Sequence, residues 1–246
     1  MTTPPCALAV MGKAPQAGRV KTRLVPPLTP DEASALNACF LRDITENIRG
    51  VADAAGFVAY APVGTAALFD GVLAPGTGLV LADGEIATAP GLVGIGRSLL
   101  HAATALLAQG FRAVCLINAD SPTLPTSFLR EAVAALLQPG ERMVLGPAED
   151  GGYYLIGLQT AEPRLFEGIA WSTPVVAEQT LARARDIGLE TVLLPPWFDV
   201  DDGVSLARLL RPAAQSVGAV PFAAPATRAW LAASTLGERL AALPAP

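Results

Sequence analysis

The residues best suited to chemistry are a short run of cations and carboxylates at two strand ends. Lys13, Arg19, Lys21 and Arg23 lie within eleven positions and are four of the seventeen Lys and Arg residues of the chain. They share residues 12–23 with Gly12 and Gly18, which permit a tight loop whose backbone N–H groups approach an anion. Arg offers a fork and Lys a point charge to phosphate oxygens. The stretch lacks the Gly-Lys-Ser/Thr ending of a Walker loop and the spacing of a dinucleotide-binding fingerprint. It reads as a phosphate site, against the alternative of a solvated basic loop.

The acids form two groups. Asp120 follows the apolar run Ala113-Val114-Cys115-Leu116-Ile117 and precedes Pro122 and Pro125. A carboxylate at a buried strand end is costly unless paired or metal-bound, and Mg²⁺ takes one or two carboxylates plus substrate phosphates. The competing role is a turn or helix cap. Asp199 and Asp201 alternate in Asp199-Val200-Asp201-Asp202 and would point the same way in extended chain. Two like charges on one side need a nearby cation, whereas capping of the helix from Val204 would occupy one of the three acids.

Between these groups lies Gly146-Pro147-Ala148-Glu149-Asp150-Gly151-Gly152-Tyr153. Its glycines suit either a hairpin turn or close approach of a ligand. Glu149 and Asp150 are candidate further ligands or a base toward an acceptor hydroxyl. Trp171-Ser172-Thr173-Pro174 reads as an acceptor-side loop or as a Ser/Thr cap. His101, the single histidine, sits among Leu99, Leu100 and Ala103 and reads as packing, which removes histidine triads from contention.

Elements that position these residues follow from periodicity. Residues 6–11 form an apolar run suited to a strand buried on both faces. Ala33, Leu36, Phe40, Ile44 and Ile48 recur at helical spacing after Thr29, Pro30 and Glu32, a capping-box pattern. Strands are expected at 57–60, 79–81, 113–117, 143–146, 153–158 and 191–194. Helices are expected at 97–107, 128–137, 175–187 and 204–210. Alternation of this kind predicts an α/β fold whose sheet is mixed but mainly parallel, with helices on both faces. The whole of 1–246 reads as one domain, with 212–246 an Ala/Pro-rich extension carrying a short helix near Trp230, Leu231, Leu236 and Leu240.

Composition narrows the function classes. The chain is 52% hydrophobic and 16% charged, with a net charge of −5. That balance supports a packed core and disfavours nucleic acid as a partner. Cys6, Cys39 and Cys115 are too scattered for a disulfide framework and read as reduced core thiols. No apolar stretch approaches the ~20 residues needed to span a bilayer, so a cytoplasmic protein with no membrane partner is expected.

Five ordered motifs, Ala14-Pro15-x-x-Gly18-Arg19-Val20-Lys21-Thr22-Arg23-Leu24, Asp120-x-Pro122-x-Leu124-Pro125, Gly146 to Tyr153, Trp171-Ser172-Thr173 and Asp199-Val200-Asp201, resemble the DUF2064 family. Its members are also labelled glycosyltransferase-like or rSAM/selenodomain-associated transferase 1. The resemblance covers about residues 7–210 and implies a GT-A-like (nucleotide-diphospho-sugar transferase) fold. It implies Asp120, Asp199 and Asp201 as ligands of Mg²⁺ or Mn²⁺, with Gly12, Gly18, Arg19, Lys21, Arg23 and Arg97 on the nucleotide side. Asp150 and Lys21 are the candidate catalytic groups. Where many members read Gln-x-Gly-x-Asp-Leu-Gly-x-Arg, this chain keeps Arg97 but has Ala89 and Val93.

The resemblance implies a metal-dependent transferase using a nucleotide or nucleotide-sugar donor, with glycosyl transfer to a small-molecule acceptor the leading expectation. Nucleotidyl transfer from a nucleoside triphosphate is the enzymatic alternative. A nucleotide-binding regulatory protein on the same fold is the alternative outside catalysis.

Overall fold

The computed structural model describes residues 4–82, 92, 94–210, 223–236 and 239. A seven-stranded sheet is built from β1 (Cys6–Lys13), β2 (Ala54–Ala61), β3 (Gly78–Leu81), β4 (Ala113–Asn118), β5 (Arg142–Pro147), β6 (Tyr153–Leu158) and β7 (Glu190–Leu193). Their order across the sheet is β3-β2-β1-β4-β6-β5-β7. All neighbouring pairs are parallel except the two that β6 makes with β4 and β5. The mixed, mainly parallel α/β sheet expected from the sequence is therefore present.

Alternation along β1 sends its side chains into two cores. Cys6, Leu8 and Val10 pack with Leu41, Ile44 and Ile48 of α1 (Pro30–Arg49) and with Phe128 and Leu129 of α3 (Thr126–Leu136). Ala7 and Ala9 face Leu99, Ala103 and Leu106 of α2 (Gly94–Leu107), and the same core takes Ala184 of α4 (Val176–Asp186). A third cluster joins Leu36 and Phe40 of α1 to Leu24, to Val200 and Leu206 near α5 (Gly203–Leu210), and to Leu231 of α6 (Pro225–Ala233). The expected capping box is formed at Thr29 and Glu32.

Gly12 lies inside β1 rather than in the loop beyond it. A Cβ there would stand 2.9 Å from Val58 and 3.2 Å from Leu41, so close packing explains the glycine. Ser172 and Thr173 do not cap α4, whose cap position is Val175 without a side-chain bond. Asp202 caps α5 instead, accepting from Ser205 N at 2.8 Å, which leaves Asp199 and Asp201 for other work. The C-terminal helix forms as α6, while Leu240, Ala89 and Val93 lie outside the described residues. Cys6, Cys39 and Cys115 are free, and Cys6 and Cys115 are fully buried. Among the described residues no helix is long and apolar enough to cross a membrane.

Candidate functional site

The sheet reverses its winding between β1 and β4, and a crevice beyond strand carboxyl ends is expected at such a point. Three segments meet there. The loop after β1 supplies Lys21 and Arg23, the segment after β4 supplies Asp120, and the chain leaving β7 supplies Asp199 and Asp201. That last chain is zipped across the sheet end by backbone bonds. Trp197 N donates to Pro147 O, Glu149 N to Trp197 O and Val200 N to Asp120 O. These bonds carry Asp199 and Asp201 to Asp120 across about eighty residues of sequence.

The cleft has a volume of about 420 Å³. Asp120, Asp150, Asp199 and Asp201 line one part, with Arg23 among them. Met11, Ile95, Leu99, Tyr153 and Trp171 form an apolar wall. Trp171 meets Tyr153 edge-on, with centroids 6.4 Å apart, and a Cβ on Gly96 would lie 2.8 Å from the indole. The wall is thus keyed to the start of α2. Ser172, also in the lining, holds φ at 63°, a left-handed conformation unusual outside glycine.

Burial pushes the Asp199 carboxyl up to about 6, helped by the charges of Asp120 and Asp150. Hydrogen bonds oppose that rise: Asn118 Nδ2 donates to Asp199 Oδ1 at 2.7 Å and Ser121 Oγ at 2.5 Å. Burial also raises Asp201, with the Asp120 charge adding to it and Lys21 and Arg23 working against it. Burial first, and the neighbouring carboxylates second, make negative charge on these two acids costly. The oxygen donors of the cluster suit a hard cation such as Mg²⁺ or Mn²⁺. As placed, however, no three acidic or other ligating side chains among the described residues surround one point.

Lys21 occupies the gap. Its ammonium donates to Asp120 Oδ1, to Val200 O at 2.8 Å and to Asp201 Oδ1 at 3.4 Å, and it lies 4.9 Å from the Phe40 ring centroid. Its side chain is 5% exposed, against 74% for Arg23. The sequence suggested three cations facing one crevice, but the structure distributes them. Arg23 lines the acidic cleft. Arg19 and Gly18, with Lys13, line a separate pocket closed by Ala61 and Pro62. Arg97 is half-buried in the first turn of α2, whose Ile95 and Leu99 reach the cleft.

Asp150 Oδ1 accepts from Gly152 N at 2.9 Å, so the residue forms the turn while lining the cleft. Glu149 turns away into a two-pronged pair with Arg208, whose guanidinium sits 3.7 Å above Phe198. Asn118 and Ser121, which flank Asp120, and Phe40, whose helical spacing marks it only as core, are site residues that the sequence does not single out. Two polar residues flanking an acid at a strand end were the available signal for the first pair. Nothing local marked Phe40.

In the solved structures, a protein of Desulfovibrio desulfuricans G20, provisionally named a nucleotide-diphospho-sugar transferase, is similar over 92% of this chain and 98% of its own. It is 27% identical, with a TM-score of 0.76. CMP:2-keto-3-deoxy-manno-octonic acid synthetase, solved with CTP, is 11% identical over 83% of this chain and 96% of its own, at a TM-score of 0.53. 4-Diphosphocytidyl-2C-methyl-D-erythritol synthase is likewise 11% identical, over 85% and 99%, at 0.50. The last two share the fold alone. No curated protein matches the sequence. The model of the DUF2064 family, described as uncharacterized proteins conserved in bacteria, matches residues 47–173, and the chain belongs to that family with the fold of the nucleotide-diphospho-sugar transferases.

Proposed function

We propose that the chain transfers a sugar from a nucleoside-diphosphate donor to a small-molecule acceptor bound in the acidic cleft. The observation that carries this reading is the meeting of Asp120, Asp199 and Asp201 where a sheet of this topology receives its ligand. Asp120, Asp199 and Asp201 would hold Mg²⁺ or Mn²⁺, which neutralises charge developing on the phosphate leaving group. Arg23, exposed at the cleft, adds a fork for phosphate oxygens. Asp150, its Oδ1 fixed by Gly152 N, would take the proton of an acceptor hydroxyl. The wall of Ile95, Tyr153 and Trp171 receives the less polar face of the ligand.

Nucleotidyl transfer is the second reading. The pocket of Lys13, Gly18 and Arg19 favours it, because separate cations suit the additional phosphate of a triphosphate. A thermal-shift panel of UDP-sugars, GDP-sugars and nucleoside triphosphates with Mn²⁺, followed by product analysis, separates the two. A nucleotide sugar should stabilise the protein and yield free nucleoside diphosphate with acceptor present. Pyrophosphate release from a triphosphate would select the second reading, and a panel without any stabilisation would contradict both.

A further inference from the structure

We propose that Lys21 is a built-in competitor of the divalent cation, an ammonium that must leave the acids before a metal ion can bind them. The inference rests on the reading of Asp120 and Asp201 as cation ligands and adds what holds them before the ion arrives.

Lys21 is unlike a surface lysine in every respect the structure records. Its backbone adopts φ 49°, a left-handed conformation rare for a residue with a Cβ. Its side chain is 5% exposed, although the residue follows a loop of exposed cations. All the oxygens it meets are of the kind a hard cation uses: the carboxylates of Asp120 and Asp201 and the carbonyl of Val200. The ring of Phe40, part of the apolar cluster under α1, closes the site from beneath at 4.9 Å.

Electrostatics makes the ammonium and a metal ion alternatives. A divalent ion on the same oxygens would stand within a few ångströms of a fixed positive charge, in a half-buried site where screening is weak. The four-carbon stem of lysine lets the ammonium swing out, which a ring or a short side chain would not allow. Asp120 and Asp201 are turned toward Nζ, while Asp199 is turned toward Asn118 and Ser121. The lysine therefore keeps the ligand-free site poorly saturated with metal.

The test is the affinity for Mn²⁺ alone, read from the electron paramagnetic resonance of the free ion, in wild type, Lys21→Met and Lys21→Gln. Methionine removes the ammonium, and glutamine keeps an N–H donor without the charge. Both variants should bind Mn²⁺ at least about tenfold more tightly than wild type. Should both variants fail to fold in metal-free buffer, refolding on addition of Mn²⁺ supports the proposal and failure to refold contradicts it. Equal or weaker binding by folded variants overturns the role of Lys21 and leaves the metal reading standing. Absence of Mn²⁺ binding in all three proteins overturns the metal reading itself.

Discussion

A Cβ on Gly151 would lie 2.0 Å from the carbonyl oxygen of Pro174, so the turn between β5 and β6 touches the loop before α4 backbone to backbone. The carbonyl of Gly151 also accepts from Ala177 N at 2.9 Å. Asp150 from the first of these loops and Ser172 and Thr173 from the second all line the cleft. Gly151 holds φ at 90°, where an added side chain is strained even without the clash. Gly151→Ala is expected to cost at least about 2 kcal/mol of stability, measured by denaturant unfolding. An unchanged midpoint would show that the two loops separate freely.

Burial makes the charge of Asp199, a half-buried acid of the cleft, costly. In Asp199→Asn the amide oxygen still accepts from Asn118 and Ser121, while the negative charge is gone. The metal-free protein at neutral pH should gain roughly 1–2 kcal/mol, seen as a melting temperature a few degrees higher. The response to Mn²⁺ should shrink at the same time. A variant less stable than its parent would mean that the carboxylate is structural.

Asp43, fully buried on α1, accepts from Ala226 N at 2.9 Å and Thr227 N at 2.8 Å. It caps α6 from another helix, with the dipole in its favour. Asp43→Ala leaves one buried and one half-buried donor unpaired and should cost about 2–3 kcal/mol. Hydrogen exchange should show the amides of α6 losing protection first, and equal loss throughout the molecule would argue against a local latch.

Glu32 makes a separate tie, to Arg239, that depends on pH. The hydrogen bond from the Arg239 guanidinium holds its carboxyl below the ordinary value of 4.5, and the Thr29 N–H adds to this. Because the folded value is the lower one, the stabilisation is fully present above the unfolded value and is lost as pH falls through the folded one. The stability difference between wild type and Glu32→Gln should therefore be constant near neutrality and vanish in acid. A difference that grows on acidification has the opposite sign and contradicts the pairing.

What the sequence revealed was local. Thr29, Pro30 and Glu32 state a helix start within four residues, and β1 and β4 announce themselves as unbroken apolar runs between turns. Asp120, Asp199 and Asp201 stood out because acids at strand ends are costly, and the structure brings them to one cleft. The fate of Lys21 was not legible, since its partners lie 99, 179 and 180 residues away. Gly12 misled for a related reason: a glycine after an apolar run resembles a turn until the packing of Val58 and Leu41 against it is known.

The central claim is that the acids at the β1–β4 crevice hold a metal ion together with the phosphates of a nucleotide. Melting curves of the wild-type protein with Mn²⁺ alone, with a nucleoside diphosphate alone and with both test it most directly. Stabilisation follows ligand concentration over Kd, and the ion needs phosphate oxygens to complete its shell. The account predicts that the rise with both ligands exceeds the sum of the separate rises. Rises that merely add, or none at all, would contradict it.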